Sequence, residues 1–237
     1  YNSFKTALEP IINAGIPFYP VAGNHEFWGS TNELVSQYEI CAEAWHLAFG
    51  QNLPQNGPAD ELGLTYAFTH KNARFLGLNV YTSQTYKGVA TAWVSNQLAA
   101  NTSPHVFAFS HEPMSYVSEA GKIENRNEFW RLLGRANARL CFGGNLRHVE
   151  RTITATPDNN RHYIHDIANG AGGAPLDGSG APAWPEPNDI ALANAFYNNT
   201  LHGYTLVSID GDKVDASFRC FEPSEAGPVW HDADAFG

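Results

Sequence analysis

The chain has 237 residues, 43% of them hydrophobic and only 16% charged, which excludes a disordered chain and suffices for one large domain or two small ones. A formal net charge of −10 argues against nucleic acid or an anionic membrane surface as partner, since both need a basic face. It leaves open a small phosphorylated substrate held through a cation, because a bound cation reverses the local potential.

Phe4, Leu8, Ile11 and Ile12 recur at helical spacing, and Gly15 closes that segment. Residues 17–22 read as a buried strand that ends in the polar block Gly23-Asn24-His25-Glu26. There Gly23 is expected to turn the backbone sharply. Thr31-Asn32 is a capping signal for a second helix with Leu34, Tyr38, Cys41, Trp45 and Ala48 inward, ending at Gly50. A loop rich in Pro, Gly and Asn covers 51–63. Thr65–Phe68 and Ala73–Val80 read as strands joined at His70-Lys71-Asn72. Ala90–Ala99 reads as a helix with Trp93 and Leu98 inward, and Val106–Phe109 as a buried strand running into Ser110-His111-Glu112-Pro113. A helix over 125–136 directs Phe129, Leu132 and Leu133 inward, and a strand over 139–142 leads to Gly143-Gly144-Asn145-Leu146-Arg147-His148.

Alternating strands and helices with polar blocks after the strands indicate an α/β sheet. From residue 149 the pattern becomes strand-rich: 149–155, 162–168, 202–209 and 213–221, with Asp210-Gly211-Asp212 as a hairpin turn. Residues 169–187 read as loop. No apolar run approaches the ~18 residues of a membrane span. Cys41, Cys141 and Cys220 form no CxxC pair and read as small hydrophobes, with one disulfide left open.

The side chains after the strands suit metal-assisted chemistry. An amide oxygen ligates hard cations, an imidazole ligates metal or moves protons, and such groups collect at the carboxyl ends of strands in open α/β sheets. Asn24, His25, Glu26 and His111 all stand at such ends. Two further triplets, Asn101-Thr102-Ser103 and Asn198-Asn199-Thr200, fit the glycosylation pattern.

Gly23-Asn24-His25-Glu26 resembles the GNHE block of the calcineurin-like metallophosphoesterases, a superfamily that includes purple acid phosphatases, Ser/Thr protein phosphatases and cyclic-nucleotide phosphodiesterases. Ser110-His111-Glu112-Pro113 resembles the family's strand-then-HxP block. Gly144-Asn145-Leu146-Arg147-His148-Val149-Glu150-Arg151-Thr152 resembles its GHxHxxERT block, with Asn145 where the first histidine stands and Arg147 where the second stands. Asn keeps an oxygen donor, whereas Arg stays protonated and cannot ligate. His148 is one residue late and in a strand would face the opposite side. Residues 163–173 and 202–214 resemble the strand-to-GaGG turn and the closing hairpin that follow.

The resemblance implies a two-sheet α/β/β/α sandwich over residues 1–222, apparently without the family's first strands and their DxH and GDxxD blocks, with 223–237 as a C-terminal tail. It implies two divalent or transition metal ions (Fe, Zn or Mn), Asn24, His111 and Asn145 as metal ligands, and His25 as the catalytic residue beside the substrate phosphate or leaving group. The implied activity is phosphoester hydrolysis. The alternative is a non-catalytic pseudoenzyme or binding module, which the substitutions at 145 and 147 favour. The implied partners are a phosphoester substrate, no nucleic acid, no membrane, and another segment or chain covering an incomplete sheet edge. The resemblance slightly favours a secreted or periplasmic setting. The chain opens on Tyr1 rather than Met, and is read as a processed or truncated product.

Overall fold

The structure is a computed structural model that describes residues 1–27, 34–81, 88–115, 123, 125–157, 162–176, 191–222 and 229–237, without the side chains of 34–37, 191, 194 and 222. The expected cap at Thr31-Asn32 and most of the 169–187 loop lie outside the described residues.

The elements run α1 (Asn2–Asn13), α2 (Asn24–Phe27), α3 (Leu34–Ala48), β1 (Tyr66–His70), β2 (Ala73–Leu78), α4 (Thr91–Ala99), β3 (His105–Ser110), α5 (Arg126–Arg135), β4 (Leu140–Gly143), β5 (Val149–Ala155), β6 (Tyr163–Asn169), β7 (Ala191–Asn198), β8 (His202–Asp210), β9 (Lys213–Glu222) and β10 (Val229–Phe236). Seven strands form a mixed sheet in the order β1-β2-β3-β4-β6-β5-β7, and β10-β9-β8 form a second, antiparallel sheet. Strands β2, β3, β4 and β6 are parallel neighbours, with α4 and α5 as the crossovers from β2 to β3 and from β3 to β4.

Period-two alternation in these strands builds two cores. On one face Leu76, Leu78, Val106, Ala108, Cys141 and Ile164 pack against Tyr38 and Trp45 of α3, Val94 of α4, and Phe129, Trp130 and Leu133 of α5. On the other face Ala73, Phe107, Leu140 and Ile167 meet Val214 and Ala216 of the second sheet. The result is the expected two-sheet α/β sandwich, with helices on the outer face of the large sheet. Among the described residues no helix covers the outer face of the second sheet. No described helix is long and apolar enough to cross a membrane.

The structure departs from the sequence reading, or adds to it, in four places. Residues 17–22 form no strand. Pro17 and Pro20 remove two ladder donors, and the segment is held instead through side chains: Tyr66 Oη donates to the Pro20 carbonyl at 2.7 Å, and Tyr19 stacks on Phe68 with ring centroids 3.7 Å apart. In α1 only Leu8 is buried, while Phe4, Ile11 and Ile12 stay exposed. At its start Tyr1 and Phe4 stand edge-on to Phe49, just past α3, at 5.4 and 5.9 Å, and Lys5 Nζ lies 5.5 Å from the same ring. Strand β7 pairs with β5 although its Ala- and Asn-rich sequence carries little strand preference. The segment expected as a tail contains β10, which pairs with β9 and is clasped from β5: Arg151 Nε and Nη2 donate to Asp234 at 2.7 and 2.9 Å, with the guanidinium 4.1 Å above the Phe236 ring. None of the three cysteines is in a disulfide, and Cys141 and Cys220 are buried.

Candidate functional site

Parallel pairing of β3 with β4 brings the loops at their carboxyl ends side by side. The Gly144 N–H donates to the His111 carbonyl at 2.8 Å and locks the two loops together. The approach is close enough that a Cβ on Gly143 would lie 2.6 Å from Pro113 Cα. Asn145 follows in the left-handed region at φ 58°, which Asn tolerates better than most residues.

The third component comes from α2. Its single turn is fixed by half of a capping box: the Gly23 N–H donates to Glu26 Oε2 at 2.8 Å. Glu26 therefore has a structural role at this turn. Gly23 is required for a reason other than the expected sharp turn. A Cβ there would lie 2.8 Å from His111 Cε1 and Nδ1, so only glycine lets the imidazole lie against this backbone.

Three of the expected side chains meet. His111 Nε2 lies 3.0 Å from Asn24 Oδ1 and 3.2 Å from Asn145 Oδ1. Asn24 is buried, His111 is half-buried and Asn145 is exposed at the mouth. Burial holds the His111 pKa below its ordinary value against the opposing pull of Glu112. The neutral imidazole that results suits a ligand or hydrogen-bonding role.

The remaining expected residues stand apart from this point. His25 is exposed on the same turn as Asn24, and Arg147 is exposed in the loop that carries Asn145. His148 is buried in another direction, with Nε2 3.2 Å from Glu150 Oε2 and its ring 4.8 Å from that of Tyr197. Glu150 and Arg151 thus serve the sheet, through His148 and Asp234 respectively.

Sequence reading did not single out the polar groups behind the site. Glu112, 4% exposed, accepts from Asn145 Nδ2 at 3.2 Å through Oε2 and from Tyr81 Oη through Oε1. Tyr81 is framed by buried Asn79, whose Nδ2 donates to the Tyr81 carbonyl at 2.7 Å and whose Oδ1 accepts from the Tyr81 N–H at 3.1 Å. The Asn79 N–H donates to Thr65 Oγ1 at 3.0 Å, and Thr65 Oγ1 donates to the buried carboxylate of Glu61. Glu112 could have been flagged as the carboxylate next to His111; Tyr81 and Asn79 carry no sequence signal.

One imidazole nitrogen and two amide oxygens are donor types that cations accept. Two ligand atoms at right angles about a cation at about 2.1 Å lie about 3.0 Å apart, and the two amide oxygens stand at 3.0 and 3.2 Å from His111 Nε2. All three donors are neutral. No cluster of three or more His, Cys, Asp or Glu that could hold a metal ion occurs among the described residues.

Comparison with known proteins places the chain in context. The calcineurin-like phosphoesterase family profile matches residues 1–144. A probable cyclic nucleotide phosphodiesterase of Psychrobacter arcticus is 27% identical over 160 residues, 64% of this chain and 52% of that protein. Among solved structures, a purple acid phosphatase from yellow lupin (Lupinus luteus) seeds superposes with a TM-score of 0.62 at 18% identity, over 97% of this chain and 43% of the lupin chain. PhoD superposes with a TM-score of 0.58 at 14% identity, over 92% of this chain and 49% of PhoD. The chain thus spans about half the length of these relatives, and the two structures speak for the fold.

Proposed function

The chain belongs to the calcineurin-like phosphoesterase family, and from that membership we propose that it carries one cation-binding half of a phosphoester hydrolase site. One observation supports this reading above the others: Asn24 Oδ1 and Asn145 Oδ1 converge on His111 Nε2 at ligand spacing. In this reading Asn24, His111 and Asn145 hold a divalent or transition cation (Fe, Zn or Mn). When bound, such a cation polarises a phosphoryl oxygen and lowers the pKa of a coordinated water. His111 presents a neutral nitrogen because burial keeps it deprotonated. Asn24 is aimed by the capping-box turn, and Gly23 keeps the ring within reach of that amide. His25, exposed on the same turn, contacts the substrate phosphate or supplies the leaving group with a proton.

The test is hydrolysis of p-nitrophenyl phosphate and bis-p-nitrophenyl phosphate by the purified chain with added Mn²⁺, Zn²⁺ or Fe²⁺, beside the variants N24A and H111A. Cation-dependent release of nitrophenol that both variants abolish supports the reading. Turnover unchanged in H111A overturns it. A second reading, a non-catalytic binding module, has one observation in its favour: Arg147, unable to ligate, stands where the family resemblance calls for a second metal-binding histidine. Cation binding without turnover on either ester supports that reading instead.

A further inference from the structure

A side-chain amide near a cation is useful in only one of its two orientations. With the oxygen turned in it donates a lone pair; flipped, it presents an NH₂ that repels the ion. Asn24 is buried and restrained by its turn, whereas Asn145 is exposed and sits on a loop residue with φ 58°. Something must therefore hold the Asn145 amide.

The structure supplies that hold. Asn145 Nδ2 donates to Glu112 Oε2 at 3.2 Å while its Oδ1 stands 3.2 Å from His111 Nε2. A carboxylate accepts and does not donate, so it selects the amide nitrogen and leaves the oxygen facing His111. Glu112 is itself fixed at three points. Its Oε1 accepts from Tyr81 Oη, its Oε2 accepts from Asn145, and its backbone carbonyl accepts from Ser110 Oγ at 2.7 Å. Tyr81 is in turn clamped by the two Asn79 bonds at 2.7 and 3.1 Å.

We infer that Glu112 is a positioning residue that locks the Asn145 amide with its oxygen toward His111, and that Tyr81 holds Glu112 for this task. This inference rests on the cation-site reading above. Glu112 also brings a buried negative charge to a pocket whose three donors are neutral, and so favours a cation there.

The experiment is a titration of the purified chain with Co²⁺, read by the visible absorption of the bound ion, and with Zn²⁺, read by calorimetry. In E112Q the new amide can donate as well as accept, so the Asn145 amide is no longer selected. Affinity for both ions is expected to fall about 10- to 100-fold, the usual cost of losing a partner that orients a ligand. Y81F is expected to produce a smaller loss in the same direction. A double substitution separates positioning from fold damage. In N145D either carboxylate oxygen can ligate, so no amide is left to select. E112Q is then expected to cost N145D clearly less affinity than it costs the parent chain, and the difference between the two losses is the share due to positioning. An equal loss in both backgrounds means that Glu112 acts through its charge or the fold alone and overturns the positioning role. If the parent chain binds Co²⁺ and E112Q binds it equally well, the positioning role is overturned while the cation-site reading stands. If the parent chain binds neither ion, the cation-site reading fails and this inference falls with it.

Discussion

Glu61 offers a direct test of how burial governs this polar network. Its carboxyl group is 4% exposed, and burial pushes its pKa from the ordinary 4.5 to about 7, against the opposing bond from Thr65 and with a smaller push from the Asp60 charge. The folded chain therefore binds this proton more tightly than the unfolded chain does. The stabilisation is fully present below about pH 4.5 and is lost as pH rises through about 7. Each pH unit of that interval is worth about 1.4 kcal/mol, so the whole interval is worth about 3 kcal/mol. In E61Q the neutral amide keeps an oxygen for Thr65 and has no proton to lose. The assay is urea unfolding of both chains at half-unit steps from pH 4.5 to 8.5. Other titrating groups are shared and cancel in the difference. E61Q is expected to gain about 3 kcal/mol relative to the parent across this range, with the change centred between pH 5 and 7. A difference between the two chains that stays flat with pH would refute the assignment of the shift to Glu61.

Further consequences concern packing and the site. G23A places a Cβ 2.8 Å from the His111 ring. It should displace the imidazole, weakening Zn²⁺ binding by about 10-fold or more while costing about 1–3 kcal/mol of stability, measured by calorimetry and urea unfolding. W130A empties a fully buried site between α5 and the large sheet and should cost about 3–5 kcal/mol in the same unfolding assay. The Arg151–Asp234 clasp is mostly buried, with side chains 13% and 12% exposed. A double-mutant cycle with R151A and D234A should give a coupling of about 1–3 kcal/mol, and a coupling near zero would show that β10 is held by its ladder alone.

The parts of the fold that were legible in the sequence are those whose burial pattern is local. Strands β2, β3, β5 and β6 alternate or run apolar, and each formed within a residue or two of its expected range. Ala and Asn weaken the strand preference of β7, and Ala and Asp that of β10, and tertiary pairing with β5 and β9 supplies what propensity does not. Residues 17–22 failed as a strand for the converse reason: their apolar pattern is right, but two prolines deny the ladder its donors. In α1 the helical period was legible and the burial was not, because a stripe specifies a face without specifying what covers it.

The site divides along the same line. Asn24 and His111 were legible because each directly follows an apolar stretch, and elements that end at one sheet edge bring their next residues together. Asn145 was legible only through the resemblance of its block. His148 lay outside the cluster: it stands in the loop just before β5 and turns to Glu150. The groups that aim these side chains were not legible. Tyr81 reaches Glu112 across 31 positions and Asn24 reaches His111 across 87, yet only the second pair carries side chains whose chemistry announces a site. A buried tyrosine just past a strand has an ordinary packing role by default. Its meaning here comes from the carboxylate it holds, and that carboxylate's meaning comes from the amide it orients. The substitution of Asn for His at 145 and the presence of Glu112 beneath it belong together: an imidazole fixes its own donor nitrogen once its ring is placed, whereas an amide needs an acceptor on its nitrogen to keep its oxygen turned in.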